Sequence, residues 1–480
     1  MGIFSKLGYV MISSGILITR EGIDYTSELF RDEEGNSRIL SIWDQTIQSG
    51  TPPEGFLYGT EYRKETINTA LESDDPYAIV PSRDENGHGT CLASVAAGSR
   101  VNGGRSFLGG APDAEIVVVK LKECKQNLRE YYLLPDDVPA YAEQDIMLGV
   151  KYADSFAMPY RRPVVICLGI GTNMGSHGGK SALSVYLNDI ALKSSRAVVM
   201  SGGNEGNAAH HYSGILQKEG IGSGYQDVEI LVSENHRGFF LEFWGEVPDV
   251  FNITIRSPGG ETVPSVRLGI RQSITYGFIY ENTKVTVDSR LVEPTSGEEL
   301  IILRIEDPTP GIWNFRVNSV GEVYSGGFHL WLPITQFMTA PATFLAPDPF
   351  TTLTPPSVGS GIICVTAYND ANNSFYLESG RGFSRTGAIR PDFAAPGVDV
   401  STIYGKRSGS CLAAALAAGG VAQFMQWAVL GNSGMQTESR ESSNYFIRGA
   451  IRSSDISYPS REWGYGRLNM VGTFDAMAGV

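Results

Sequence analysis

The chain has 480 residues, 42% of them hydrophobic, and a formal net charge of −14 at pH 7. This length is sufficient for a large core domain with an additional module. The negative charge argues against nucleic acid as a partner, because phosphate binding requires a positive surface. The sequence contains no apolar run of about eighteen residues or more, so no membrane span is predicted.

The N-terminus and the cysteines give only weak information about the compartment. The opening MGIFSKLGYVMISSGILIT has one lysine and a broken apolar stretch. It lacks the small-residue cleavage site of a signal peptide, so we interpret it as a strand. The five cysteines are widely spaced and form no CxxC motif. Neither a disulfide framework nor a zinc site is indicated, and a reducing environment is the simpler interpretation.

Short apolar strands alternate with helical segments through the first two hundred residues. Strands are predicted over 114–121, 163–171 and 196–204, and helices over 141–156 and 181–194. Continuous apolar strands between helices predict a parallel sheet that is covered on both faces.

The pattern then becomes β-rich. Residues 222–345 contain apolar segments separated by Gly, Pro and Asn turns, without a helical pattern. They predict an inserted antiparallel β-sandwich. The α/β pattern resumes at a strand over 361–369, followed by an alanine-rich helix. The predicted organisation is therefore a core in two parts, 1–221 and 346–480, with an insert at 222–345.

Three glycine-rich junctions lie beside predicted helix or strand ends. His88 lies in DENGHGTCLASVAAG, Asn204 in VMSGGNEGN, and Cys411 in RSGSCLAAALAAG at the start of the alanine-rich helix. A glycine-serine pair before a helix is typical of a nucleophile presented at the helix N-terminus. Taken singly, His88 is equally consistent with a helix cap and Asn204 with an ordinary turn residue.

Together these motifs resemble the subtilisin-like peptidases. The family pattern at the nucleophile is G-T-S-x-A-x-x-x-x-x-G, and it is matched by GSCLAAALAAG, with Cys411 at the serine position. The segments LGGAPDAEIVVVK, ICLGIGTNMGSHGG and RPDFAAPGVDVSTIYG resemble the same family. The resemblance implies an α/β fold: a subtilisin-like parallel sheet flanked by helices, with the insert as a jelly-roll-like β-sandwich.

Three features are most similar to the branch that includes the spore-germination subtilases. They are the insert, the segment WDQTIQSG and the tail REWGYGRLN. Some members of that branch are pseudoproteases. This similarity implies a cytoplasmic or spore-associated protein in a reducing environment.

The resemblance also implies roles for individual residues. His88 would be the general base, Cys411 would occupy the nucleophile position, and Asn204 would donate its side-chain N–H to the oxyanion. Leu168, Gly169 and Gly171 would form one wall of the cleft, along which peptide backbone would pair. The expected ligand is a polypeptide substrate or a peptide-like molecule, with no cofactor and no metal site that can be placed.

The sequence departs from the family at the aspartate that orients the histidine. In one alignment its position holds Ser13 in ISSGI, and in the other Arg20 in REGIDYT. Neither residue is a carboxylate. Asp24 is a weak candidate substitute, and Asp44 is a weaker one.

Three functional hypotheses follow. The first is a pseudoprotease or strongly weakened endopeptidase. The second is a slow endopeptidase that uses Cys411, because a cysteine at a helix N-terminus beside a histidine is expected to be nucleophilic. The third is a binding or sensing module in which the β-sandwich of 222–345 binds a protein partner, with a purely structural role of the sandwich as its alternative. His210 and His211 are expected on a solvated loop, without a metal.

Overall fold

In the computed structural model, the described residues are 14–19, 22–100, 107–156, 162–218, 224–264, 271–431 and 437–478. The first strands are β1 (Ser14–Thr19), β2 (Ile39–Asp44), β3 (Thr60–Arg63), β4 (Glu115–Lys120), β5 (Val164–Leu168) and β6 (Arg196–Ser201). The next are β7 (His211–Ile215), β8 (Tyr225–Val232), β9 (Gly238–Gly245), β10 (Phe251–Arg256), β11 (Thr262–Val263), β12 (Arg271–Gly277), β13 (Lys284–Arg290), β14 (Glu299–Glu306), β15 (Gly311–Ser319), β16 (Gly327–Trp331) and β17 (Ala342–Phe344). The last are β18 (Ile363–Asn369), β19 (Ser374–Phe375), β20 (Phe393–Pro396), β21 (Val400–Thr402) and β22 (Gly405–Arg407).

The helices flank these strands along the chain. They are α1 (Lys64–Leu71), α2 (Pro76–Ile79), α3 (His88–Ala97), α4 (Gln126–Tyr131), α5 (Glu143–Ser155), α6 (Ala182–Ala191), α7 (Ser410–Met425), α8 (Ser439–Gly449) and α9 (Met470–Ala478). The strands predicted over 114–121, 163–171 and 196–204 and the helices predicted over 141–156 and 181–194 are confirmed, with ends that differ by a few residues. Of the N-terminal stretch interpreted as a strand, residues 1–13 lie outside the described residues.

A largely parallel sheet forms the centre of the core. Its strand order is β19-β18-β6-β5-β1-β4-β2-β3, and β20 pairs with β18. Strand β5 is apolar throughout, and β4 and β6 are apolar between polar end residues, as expected for strands covered on both faces. On β5, Val165 and Cys167 pack on the face covered by α3 and α7, whereas Ile166 and Leu168 pack on the face covered by α5 and α6. The predicted α/β architecture, a parallel sheet flanked by helices, is thereby confirmed.

Helix α7 packs unusually close to α3 because its residues are small. A Cβ atom on Gly419 would lie 2.6 Å from the Ala96 carbonyl oxygen and 2.8 Å from Gly110 Cα. The segment Ser410–Leu430 is long and apolar enough to cross a membrane, but 72% of its most apolar window is buried inside the fold. A buried core helix can be equally long and apolar, so this segment is weak evidence for a membrane span.

Two antiparallel sheets form the β-rich region, which we call the β module (residues 211–344). Their strand orders are β11-β10-β15-β8-β17 and β12-β13-β14-β9-β16-β7. Ile230 and Phe315 from the first sheet share one buried cluster with Phe243, Leu303 and Phe328 from the second. The jelly-roll connectivity and the domain boundaries stay predictions. The second sheet nevertheless begins at β7, before the predicted boundary at 222.

A stack of aromatic rings joins the core to the β module. The His177 ring, from the loop after β5, lies 4.1 Å from the Trp331 ring with an interplanar angle of 6°. The His211 and His329 rings stack on the same indole at 4.7 Å and 5.2 Å. His211 Nε2 and His329 Nδ1 are 3.0 Å apart, so one donates to the other. We call these four residues the histidine stack.

The expectation that His210 and His211 lie on a solvated loop is wrong. Both side chains are buried. His211 belongs to β7 and to the histidine stack, and His210 Nδ1 lies 2.7 Å from Glu205 Oε2. The sequence pattern failed because the two residues are covered by strands and loops that are distant in the sequence.

Burial keeps the stacked imidazoles neutral. It lowers the pKa of His177 to about 3, of His211 to about 4 and of His329 to about 2. The Arg385 guanidinium further lowers the pKa of His177 and His329, whereas the Asp348 carboxylate opposes the shift at His211. Both His177 nitrogens face carbonyl oxygens, of Leu353 at 3.0 Å and of Asn173 at 2.9 Å, and the neutral ring donates to one of them.

The histidine stack predicts acid sensitivity. Below pH ~6.5 the unfolded chain binds protons at these histidines and the folded chain does not. As the pH falls, each histidine therefore lowers the free energy of unfolding by about 1.4 kcal/mol per pH unit. This loss continues until the pH reaches the pKa of that histidine in the folded chain. Urea unfolding at pH 7.5 and pH 5.0 should show this loss. The double variant His211→Phe/His329→Phe, which retains aromatic rings, should show a smaller loss; an unchanged loss would contradict the assignment.

Candidate functional site

The predicted site residues converge on one cleft of about 910 Å³ at the carboxyl ends of β5 and β6. His88, Asn204 and Cys411 all line it, although each comes from a different part of the chain. Gly169 and Gly171 also line it, as predicted. Leu168 does not: its side chain is fully buried on the opposite face of the sheet, among residues of α5 and α6.

The turn before α3 fixes the position of His88. The Asp84 carboxylate accepts hydrogen bonds from Gly87 N (2.9 Å), Thr90 N (2.7 Å) and Thr90 Oγ1 (2.6 Å). It therefore satisfies N–H groups that have no acceptor within the helix. Asn86 Oδ1 accepts a further bond from His88 N at 2.9 Å. Sequence reasoning missed Asp84, although an acidic residue shortly before a helix start is a recognisable capping signal.

Cys411 lies in the first turn of α7. Its Sγ is 3.6 Å from the Gly169 carbonyl oxygen, to which the thiol donates, and 3.7 Å from Ser201 Oγ. The side chain is partly exposed to the cleft. All five cysteines are free thiols. The sulfur therefore lies between the end of β5 and the end of β6, where a peptide in the cleft could reach it.

Asn204 is oriented by the N-terminus of α7. Its Oδ1 accepts a hydrogen bond from Ser410 N at 3.0 Å. Because a backbone N–H can only donate, the atom facing it must be the carboxamide oxygen. The amino group then lies beside Gly409, where a Cβ atom would be 3.7 Å from Asn204 Nδ2. A carboxamide donor and the N-terminus of a helix are the elements from which an oxyanion hole is built.

Both candidate substitutes for the aspartate, Asp24 and Asp44, accept hydrogen bonds within the core. Ser13 and Arg20, which hold this position in the two alignments, lie outside the described residues. The Asp24 carboxylate accepts from Thr26 N (3.1 Å) and Tyr77 OH (3.1 Å). Asp44 is fully buried. Its carboxylate accepts from the Thr46 backbone (2.8 Å) and from Ser82 Oγ (2.7 Å). Each carboxylate therefore joins a turn of its own to a residue that is distant in the sequence.

Glu205, next to Asn204, links the cleft to the β module. This buried carboxylate accepts from Thr335 N at 3.1 Å and from Asn173 Nδ2 at 3.4 Å, and it pairs with His210. Within the described ranges, no group of three or more His, Cys, Asp or Glu side chains could hold a metal ion.

The cleft has further walls that sequence reasoning missed. They come from the β module, from the segment that returns from it and from the hairpin before α7, and they include Phe240, Ile334, Phe337, Thr354, Tyr404 and Arg407. No local motif marks these positions, because long-range packing brings them to the cleft.

Gly87 provides a test of how tightly the His88 turn is packed. It has a left-handed φ of +80°, and a Cβ there would lie 2.8 Å from Tyr404 Cε2. Gly35 has a similar φ of +85° but no atom within 4 Å of such a Cβ. In urea unfolding, Gly35→Ala should lower the free energy of unfolding by about 1–2 kcal/mol, from backbone strain alone.

Gly87→Ala should lower the free energy of unfolding more than Gly35→Ala does, because the overlap with the Tyr404 ring adds to the backbone strain. The second substitution Tyr404→Ala, made in the Gly87→Ala background, should recover the difference. Equal losses for the two glycine variants would show that Tyr404 does not press on the His88 turn.

Comparisons with known proteins show a family match and a similar fold. The model described as the subtilase family matches residues 21–225. The chain is similar to the solved structure of the Clostridium perfringens CspB protease, at 28% identity and a TM-score of 0.84, over 97% of this chain and 93% of that one. A comparison with curated proteins finds no match.

Two other solved structures show weaker similarity. The S41 psychrophilic protease has 15% identity and a TM-score of 0.46, and sphericase has 14% identity and a TM-score of 0.45. In each case 97% of this chain and 94% of the other are covered. These scores are too low to support conclusions beyond the first comparison.

Proposed function

We propose that this chain, which matches the subtilase family over residues 21–225, binds peptides in the cleft as a pseudoprotease or strongly weakened endopeptidase. The observation that carries this proposal is the arrangement of Asn204, Ser410 and Cys411 at the N-terminus of α7. There the carboxamide is held at 3.0 Å by Ser410 N, beside a thiol that faces the cleft. A peptide carbonyl placed against this thiol would meet hydrogen-bond donors for its oxygen.

Weak cleavage is proposed from the sequence at two triad positions. The aspartate position holds serine or arginine in the two alignments, and the serine position holds Cys411. In subtilisin, loss of the aspartate lowers turnover about 3 × 10⁴-fold, and loss of the serine about 2 × 10⁶-fold. These losses do not add, because the triad acts as a unit. Sulfur is also larger than oxygen, and misplacement of reacting atoms by about 1 Å can lower the rate about a hundredfold.

The alternative is a slow thiol endopeptidase. The Cys411 thiol would lose its proton to His88, and its sulfur would attack the peptide carbonyl carbon. The negative oxygen would be stabilised by Asn204 Nδ2. His88 would return the proton to the leaving amine, and water would then hydrolyse the thioester. The exposure of Cys411 to the cleft favours this alternative over a purely structural cysteine.

Membership of the spore-germination branch is a separate proposal. It is supported by the β module and by the segments WDQTIQSG and REWGYGRLN. A cytoplasmic or spore-associated location and a protein partner at the β module are proposals of the same kind.

Hydrolysis of a mixed fluorogenic peptide library tests the proposal. The wild-type protein should be at least about 10⁴-fold slower than subtilisin assayed beside it, because the aspartate is absent. Cys411→Ser combined with Arg20→Asp should raise the rate at least about a hundredfold if Arg20 occupies the aspartate position. Cys411→Ser combined with Ser13→Asp is the matched control for the other alignment.

Comparing peptide hydrolysis by the wild-type and Cys411→Ala proteins distinguishes the pseudoprotease from the thiol endopeptidase. Slow hydrolysis that Cys411→Ala abolishes would support the thiol endopeptidase. A wild-type rate within about a hundredfold of subtilisin would contradict the proposal of weak cleavage.

A further inference from the structure

The segment that returns from the β module crosses the cleft at Thr354. Thr354 N donates to the Gly202 carbonyl oxygen at 3.1 Å, and Thr172 N donates to the Pro355 carbonyl oxygen at 3.0 Å. These bonds attach the segment both to the residues that follow β5 and to those that follow β6. The position of Thr354 between the two walls is therefore fixed by the backbone.

The Thr354 side chain fills the gap between these walls. A Cβ on Gly171 would lie 2.3 Å from Thr354 Oγ1, and a Cβ on Gly203 would lie 2.5 Å from Thr354 Cγ2. The side chain is 3% exposed. Its Oγ1 is buried without a hydrogen-bond partner in the described part of the chain. Since an unsatisfied buried hydroxyl is unfavourable by about 1–3 kcal/mol, the contribution of Thr354 here is its shape.

The gap and the thiol lie along the same wall of the cleft, since Gly169 contacts Cys411 and Gly171 adjoins Thr354. Cys411 Sγ contacts the carbonyl oxygen of Gly169, and Gly171 is two residues further along the same wall. In extended chain, two residues span about 6.6 Å. A peptide lying along this wall, with a carbonyl at Cys411, would direct the side chain of that same residue towards the gap.

We propose that Thr354 is a specificity-determining residue. It restricts the peptide residue whose carbonyl lies at Cys411 to small side chains, namely glycine, alanine or serine. This inference rests on the proposed function, because it requires a peptide in the cleft. It does not require turnover, because a thiol can be trapped by an electrophile in a single step.

Two peptidyl chloromethyl ketones test the proposal, one with alanine and one with phenylalanine next to the electrophile. In the reaction a C–S bond forms between Cys411 and the methylene carbon, the C–Cl bond breaks, chloride leaves and the thiol proton passes to buffer. Labelling rates are followed by intact mass, with Cys411→Ala as the blank. The wild-type protein should react at least about tenfold faster with the alanine probe, because misfit of a bulky side chain is worth a factor of ten or more.

Variants at Thr354 should change this preference in a defined order. Thr354→Gly should raise the labelling rate with the phenylalanine probe at least about tenfold. The ratio of the labelling rate with the alanine probe to that with the phenylalanine probe should therefore fall. Thr354→Val has the same shape and should keep the wild-type ratio. If thermal unfolding shows that Thr354→Gly is not folded, Thr354→Ser, which lacks one methyl group, should give an intermediate ratio.

Chloroacetone, a chloromethyl ketone without a peptide, separates the possible failures because it carries the same electrophile. If both peptidyl probes label Cys411 faster than chloroacetone but at equal rates, or if neither Thr354→Gly nor Thr354→Ser changes the ratio, the role of Thr354 is overturned and peptide binding stands. If neither peptidyl probe is faster than chloroacetone, peptide binding in the cleft is wrong and so is the role of Thr354.

Discussion

The site depends on the close contact between α3 and α7. These two helices begin at His88 and Ser410, so their packing sets where the imidazole and the thiol enter the cleft. The contact is made by small residues, and even a methyl group at Gly419 would lie 2.6 Å from the Ala96 carbonyl oxygen. Interiors are packed densely enough that such an overlap moves backbone as well as side chains. The alanine-rich composition of α7 is therefore a requirement of the site as well as of the core.

The same composition explains why the sequence was informative about this region. Apolar strands and an alanine-rich helix predict a buried parallel sheet, and the glycine turns at His88, Asn204 and Cys411 mark where it is interrupted. Such signals are local, since each depends on a few consecutive residues. The contact between Asn204 and Ser410 could be expected only from the family resemblance, because the two residues are 206 positions apart.

Other parts of the site could not be predicted from sequence. The burial of His210 and His211, the pairing of Glu205 and the location of Thr354 all result from the docking of the β module, which no local pattern encodes. Leu168 was misplaced for a simpler reason. It is the last residue of β5, and strand alternation turns its side chain to the face opposite Cys167. The neighbouring glycines line the cleft because they follow the strand.

The two chain segments that join the β module to the core both line the cleft. The outgoing connection contains Asn204 and Glu205, and Glu205 accepts a hydrogen bond from Thr335, near the end of the module. The returning connection contains Thr354, directly after Leu353, whose carbonyl oxygen faces His177 in the histidine stack. The module therefore contacts the connection that carries Asn204, while the returning connection places Thr354 between the walls. A single peptide unit, between Leu353 and Thr354, thus contacts both the histidine stack and the cleft wall, and Phe240, Ile334 and Phe337 of the module line the cleft itself.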